Sequence, residues 1–161
     1  MSEREHELVI VGGGPVGAAL AIALSDGGYD VLLLEARPEL GTASDGRTLA
    51  MSYGSRLILA RLGAWNRVEP ATPIHSIHIS QRGGFGRALL AAEDAGLPAL
   101  GYVVGYARLQ KALGEALASN RSTLAAGASV DDLEFSADRI AIRFRRGDQE
   151  HAVRARLLVI A

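Results

Sequence analysis

An apolar run, Leu8-Val9-Ile10-Val11, leads directly into Gly12-Gly13-Gly14-Pro15-Val16-Gly17, and this junction constrains the chain more than any other part of it. A helical pattern follows, then a second apolar run, Val31-Leu32-Leu33-Leu34, that stops at Glu35, 23 positions after Gly12. Strand, glycine turn, helix, strand and terminal carboxylate, in that order, are the parts of a dinucleotide-binding βαβ unit. Gly12 permits the sharp turn, Gly14 lets backbone approach a pyrophosphate, and Gly17 lets the helix pack closely on the strand. The helix N-terminus presents unpaired N–H groups to the phosphates. Glu35 is placed to accept hydrogen bonds from a ribose diol, which favours FAD or NAD over a 2′-phosphorylated NADP at this site. A purely structural strand-to-helix turn is the alternative reading of the glycines.

Composition narrows the class. The chain has 161 residues, 48% hydrophobic and 22% charged, which suits one globular domain with a real core. A formal net charge of −1 gives no electrostatic footprint for nucleic acid. The cluster Arg143, Arg145 and Arg146 reads as the solvated face of a strand. With no cysteine, disulfides, thiolate catalysis and cysteine-ligated metals are excluded, so redox work needs a cofactor. No metal site is expected. Met1 to Glu7 is polar and acidic, and no apolar run is long enough to span a bilayer, so the chain reads as cytoplasmic.

Along the chain, the signals predict a helix from Pro15 to Asp26, a polar loop from Arg37 to Thr48 as a candidate binding segment, and a helix from Ser52 to Leu62 carrying Leu57, Ile58, Ala60 and Leu62. Ile74, Ile77 and Ile79 suggest one strand, and Arg82 to Gly86 a turn. Tyr106 to Ser119 has helical spacing. Thr123 to Ala161 reads as a meander of strands with a turn at Gly147-Asp148, ending in a buried-strand pattern, Leu157 to Ala161, whose abrupt stop suggests truncation.

Asp45-Gly46-Arg47-Thr48-Leu49-Ala50-Met51-Ser52-Tyr53-Gly54-Ser55, with Ala71-Thr72-Pro73-Ile74-His75-Ser76-Ile77-His78-Ile79-Ser80, closely resembles the flavin-dependent aromatic hydroxylases of ubiquinone biosynthesis. Within that family, Arg82 to Arg87 and Gly96 to Val104 are most similar to the hydroxylases of 2-octaprenyl-6-methoxyphenol. The resemblance covers essentially the whole chain. It implies an α/β, FAD/NAD(P)-binding Rossmann-like domain, βαβ with a β-meander, in which residues from about 71 to 104 begin an inserted substrate-domain sheet.

Carried over residue by residue, the resemblance implies that Gly12, Gly14, Pro15, Val16 and Gly17 hold the FAD pyrophosphate and Glu35 the adenosine ribose. Arg47 would lie beside the flavin or its phosphates, Arg108 would reach the diphosphate and ribityl region, and Val130 would meet the adenine through its backbone. Two further family motifs, an Asp-Gly and a later Gly-Asp, would lie beyond Ala161, so the chain resembles the N-terminal part of a longer enzyme. On its own, the chain is then expected to self-associate and to hold FAD weakly or not at all.

The implied chemistry is hydroxylation of a polyprenylated phenol with FAD, NAD(P)H as co-substrate and O₂. The protein would place the ring, exclude water and polarise the phenol, with no covalent nucleophile; its catalytic acid–base residues are not identified. Peripheral residence at the inner membrane, through the lipid substrate, and contact with other ubiquinone-biosynthesis proteins are further expectations. His75 and His78 read as ordinary strand positions rather than catalytic groups. Two other classes fit the glycine motif: another FAD oxidoreductase of this fold, and a non-catalytic nucleotide-binding module.

Overall fold

A computed structural model describes residues 4–40 and 46–161. The strand β1 (Arg4–Val11), the helix α1 (Pro15–Asp26) and the strand β2 (Val31–Glu35) form the βαβ unit; α1 and β2 have the boundaries the sequence suggests, whereas β1 begins at Arg4, ahead of the apolar run at Leu8. Next come β3 (Thr48–Ser52), α2 (Tyr53–Arg61), β4 (Thr72–Ile74), β5 (Ser76–Ser80), β6 (Arg87–Ala91) and β7 (Gly101–Gly105). The chain continues through α3 (Tyr106–Ala118), β8 (Thr123–Ala126), β9 (Ala128–Phe135), β10 (Ile140–Arg146) and β11 (Gln149–Ile160).

Six strands make the main sheet, in the order β8-β2-β1-β11-β10-β9. β1 pairs in parallel with both β2 and β11, and β2 in parallel with β8. The remaining pairs, β11 with β10 and β10 with β9, are antiparallel. Only β9, β10 and β11 are therefore a meander, because β8 is the outer parallel strand beside β2. The loop between β10 and β11 is the expected Gly147-Asp148 turn, with Gly147 at φ 60°.

Alternation along β1 and β2 divides the interior in two. Leu8, Ile10, Val31 and Leu33 point into a core completed by Ala18, Ala21 and Ile22 of α1 and by Leu109, Leu113 and Ala116 of α3. Val9, Leu32 and Leu34 point the other way, onto Ala125, Ile142, Phe144, Val153 and Ala155. β2 is buried along its whole length, which explains its unbroken apolar sequence.

The middle of the chain departs from the expected pattern. The single strand expected over Ile74 to Ile79 is two strands, interrupted at His75. The Ile74 carbonyl accepts from Leu100 N–H and the His75 carbonyl from Ala92 N–H, so the two halves join different sheets. β4 lies with β3 on either side of β7, and β5 pairs with β6 in a separate two-stranded sheet. α2 sits where expected and is capped by Ser52, whose hydroxyl accepts from Ser55 N–H, but its buried residue is Leu59. Leu57 and Ile58 are 41% and 57% exposed.

β11 also differs. It is an interior strand of the sheet, yet Leu157 and Ile160, on opposite faces of it, are 53% and 73% exposed. Arg143 and Arg145 lie on an exposed strand face as expected, where they pair with Asp132, Glu134 and Asp131 of β9.

Candidate dinucleotide-binding site

The glycine turn is built by exclusion. Gly12 has φ 107°, a conformation side chains rarely adopt, and a Cβ there would strike the Ala161 carbonyl. A Cβ on Gly17 would strike the Gly12 carbonyl, so the first turn of α1 rests directly on the turn that precedes it.

Gly14 is different. Its backbone is extended, and among the described residues nothing lies within 4 Å of the position its Cβ would take. The space it leaves is at the mouth of α1, whose cap supplies no side-chain acceptor and whose first turn carries no acidic residue. Uncapped first-turn N–H groups with open space before them suit an anionic diphosphate. Pro15 occupies the first helical position and Val16, 71% exposed, faces outward beside it.

Glu35 closes the other side. Only 5% exposed, its carboxylate accepts from Gly13 N–H at 2.6 Å, from Arg37 N–H and Nε at 2.9 Å each, and from a second Arg37 guanidinium nitrogen at 3.3 Å. Burial pushes the Glu35 carboxyl up, but the hydrogen bonds from Arg37 and Gly13 and the Arg37 charge outweigh it, leaving a net downward shift. Glu35 is thus a carboxylate at neutral pH. Its four acceptor positions are all engaged, so a ribose diol would replace the longest of these bonds, the one at 3.3 Å.

The structure places the remaining expected residues unequally. The Arg47 guanidinium stacks 4.8 Å from the centre of the Tyr106 ring, and Tyr106 N–H donates to the Arg47 carbonyl at 2.9 Å. Tyr106 in turn helps to hold Arg37 charged, after the larger effect of the Glu35 hydrogen bond. Gly13, Glu35 and Arg37 are one hydrogen-bonded group, and Tyr106 and Arg47 are held together by ring and backbone. Arg108 is exposed and donates to the Glu69 carbonyl at 3.0 Å. Val130 is half-buried opposite Phe144 and packs on the second core. His75 and His78 are both exposed. Of the candidate binding loop, residues 41–45 lie outside the described residues.

Sequence reasoning missed Arg37, Tyr106 and Gln110. Arg37 carried a signal, a cation two positions after the strand-end carboxylate. Tyr106 and Gln110 carried none, since only the packing of α3 brings them near β2. Gln110, 1% exposed, donates to the Tyr106 hydroxyl at 3.1 Å.

Sheet order, glycine turn and strand-end carboxylate define a Rossmann-like dinucleotide-binding protein. The chain belongs to the FAD binding domain family, whose model it matches over residues 5–161, and FAD is the dinucleotide of that family. It is 32% identical to the 3-demethoxyubiquinol 3-hydroxylase of Escherichia coli (strain K12), an alignment covering 99% of this chain and 41% of that protein. It is 30% identical to the ubiquinone hydroxylase UbiL of Rhodospirillum rubrum, covering 98% and 37%. The chain thus spans about two-fifths of the length of these relatives. The crystal structure of p-nitrophenol 4-monooxygenase PnpA from Pseudomonas putida DLL-E4 shares the fold, with a TM-score of 0.80 at 19% identity over 99% of this chain and 41% of that one. The flavin-dependent monooxygenase PieE, solved with FAD and substrate, superposes with a TM-score of 0.75 at 26% identity, covering 96% and 29%. Among the described residues, no helix is long and apolar enough to cross a membrane.

Proposed function

We propose that this chain is the FAD-binding part of a monooxygenase that hydroxylates the ring of a polyprenylated phenol in ubiquinone biosynthesis, using NAD(P)H and O₂. The observation that carries this reading is the likeness to two ubiquinone hydroxylases over nearly the whole chain. The 2-octaprenyl-6-methoxyphenol type of substrate is the narrower form of the proposal, resting on the segments Arg82 to Arg87 and Gly96 to Val104.

FAD, when bound, supplies electron transfer from NAD(P)H and activation of O₂. The chain's own residues bind and orient it. Gly14 and the mouth of α1, with Pro15 and Val16, take the diphosphate; Gly12 and Gly17 hold that mouth in shape. Glu35 accepts from the adenosine ribose, and Arg47 and Arg108 supply positive charge for the phosphates, Arg108 by exchanging its bond to the Glu69 carbonyl. Val130 lends its backbone to the adenine. The sheet of β3, β7 and β4 and the hairpin β5–β6, within residues 71–104 together with β3, begin the substrate-binding region. A lipid substrate would bring the protein to a membrane surface, and partners of the same biosynthesis would meet it there.

The test is turnover by the full-length protein loaded with FAD. NAD(P)H and O₂ consumption should rise when a prenylated phenol is added, with a product one oxygen atom heavier. FAD-loaded protein that ignores phenols but acts on another class of substrate overturns the proposal.

A further inference from the structure

Tyr106 opens α3 and touches a cation of the candidate site. Its ring carries the Arg47 guanidinium at 4.8 Å, and its backbone N–H fixes the Arg47 carbonyl at 2.9 Å. Its hydroxyl is braced by Gln110 Nε2 at 3.1 Å, from a side chain 1% exposed in the first core. We propose that Tyr106 is a positioning residue of the dinucleotide site, a side chain that seats Arg47 through its ring and its backbone.

The physical reason is the freedom of arginine. An exposed guanidinium on a long stem samples many rotamers, and each must be fixed before it can favour a phosphate or steer a carboxylate. Tyr106 does this for Arg47 from a rigid ring, and α3, packed on α1, ties that ring to the helix whose N-terminus is read as facing the diphosphate. Gln110 carries the contact on into the core. Tyr106 touches no cofactor atom in this scheme. Its effect on FAD passes through Arg47, and the proposal rests on the reading of Arg47 as an FAD contact.

Titration of the full-length protein with FAD, followed by flavin fluorescence, tests this through a double-mutant cycle. Arg47→Ala and Tyr106→Leu should each weaken FAD by about 3- to 30-fold, the range of a partly desolvated cation–π contact. The double variant should be no weaker than the weaker of the two singles. Tyr106→Phe, which keeps the ring, should lose less than Arg47→Ala, and that variant decides the matter if Tyr106→Leu does not fold. Losses that multiply in the cycle, or a Tyr106→Phe loss as large as that of Arg47→Ala, overturn the proposal and leave the site reading standing. Unchanged FAD affinity in Glu35→Ala and Arg47→Ala overturns the site reading, and the proposal with it.

Discussion

Glu35 shows how one residue serves the fold and the site at once. Its carboxylate pins the glycine turn through Gly13 N–H and the chain after β2 through Arg37, from a position 5% exposed. Glu35→Ala should weaken FAD by about 1–3 kcal/mol, the scale of a charge-assisted hydrogen bond whose partner is left unpaired. Because the folded state holds the Glu35 carboxyl below its ordinary value, ionised Glu35 contributes stability above the unfolded pKa. That contribution is lost as pH falls through the folded value. In thermal melts, the advantage of wild type over Glu35→Gln should be complete at neutral pH and shrink below about pH 4, where ordinary carboxyls protonate. Melting curves that stay parallel into acid would remove the carboxylate from the turn's support.

At the scale of the element, α1 separates two roles that the three glycines share in sequence. Gly17 is closed in by the Gly12 carbonyl, whereas Gly14 faces open space. Gly14→Val should abolish FAD binding with circular dichroism and melting temperature near wild type. Gly17→Val should lose FAD and stability together, by about 1–3 kcal/mol or more, as overpacking does. A Gly14→Val variant with wild-type FAD affinity would make the loop a structural turn only. The βαβ unit and the helix of α3 were legible because each repeats a local period over several residues, with Pro15 and the Gly27-Gly28 pair marking the ends of α1. The strands β3, β6 and β7 were not, since Thr48–Ser52 and Gly101–Gly105 are short and pair with segments far away in the chain. The break at His75 was equally hidden. Nothing in Ile74 to Ile79 shows that its two halves bond to Leu100 and Ala92. In the site, the motif pointed to Gly12, Gly14, Gly17 and Glu35, while the contribution of Tyr106 depends on how α3 docks.

At the scale of the whole molecule, β1 and β2 are the shared wall of both cores, since neighbouring residues on each strand face opposite sides. Ile10 lies in the core under α1 and α3, and Val9 beside it in the core under the meander. Neither layer can loosen without exposing a face of the same two strands, and those strands carry the glycine turn and Glu35 at their ends. The site is therefore supported from both sides of the sheet, even though its visible residues sit on one edge. Ile10→Ala in one core and Leu34→Ala in the other remove fully buried side chains, and each should cost about 2–5 kcal/mol. Both should shift a single unfolding transition, reported identically by far-ultraviolet circular dichroism and by Trp65 fluorescence, although Trp65 belongs to the first core alone. If Leu34→Ala melts the meander in a separate step while the Trp65 signal stays unmoved, the two layers are independent, and support for the site comes from α1 and α3 only.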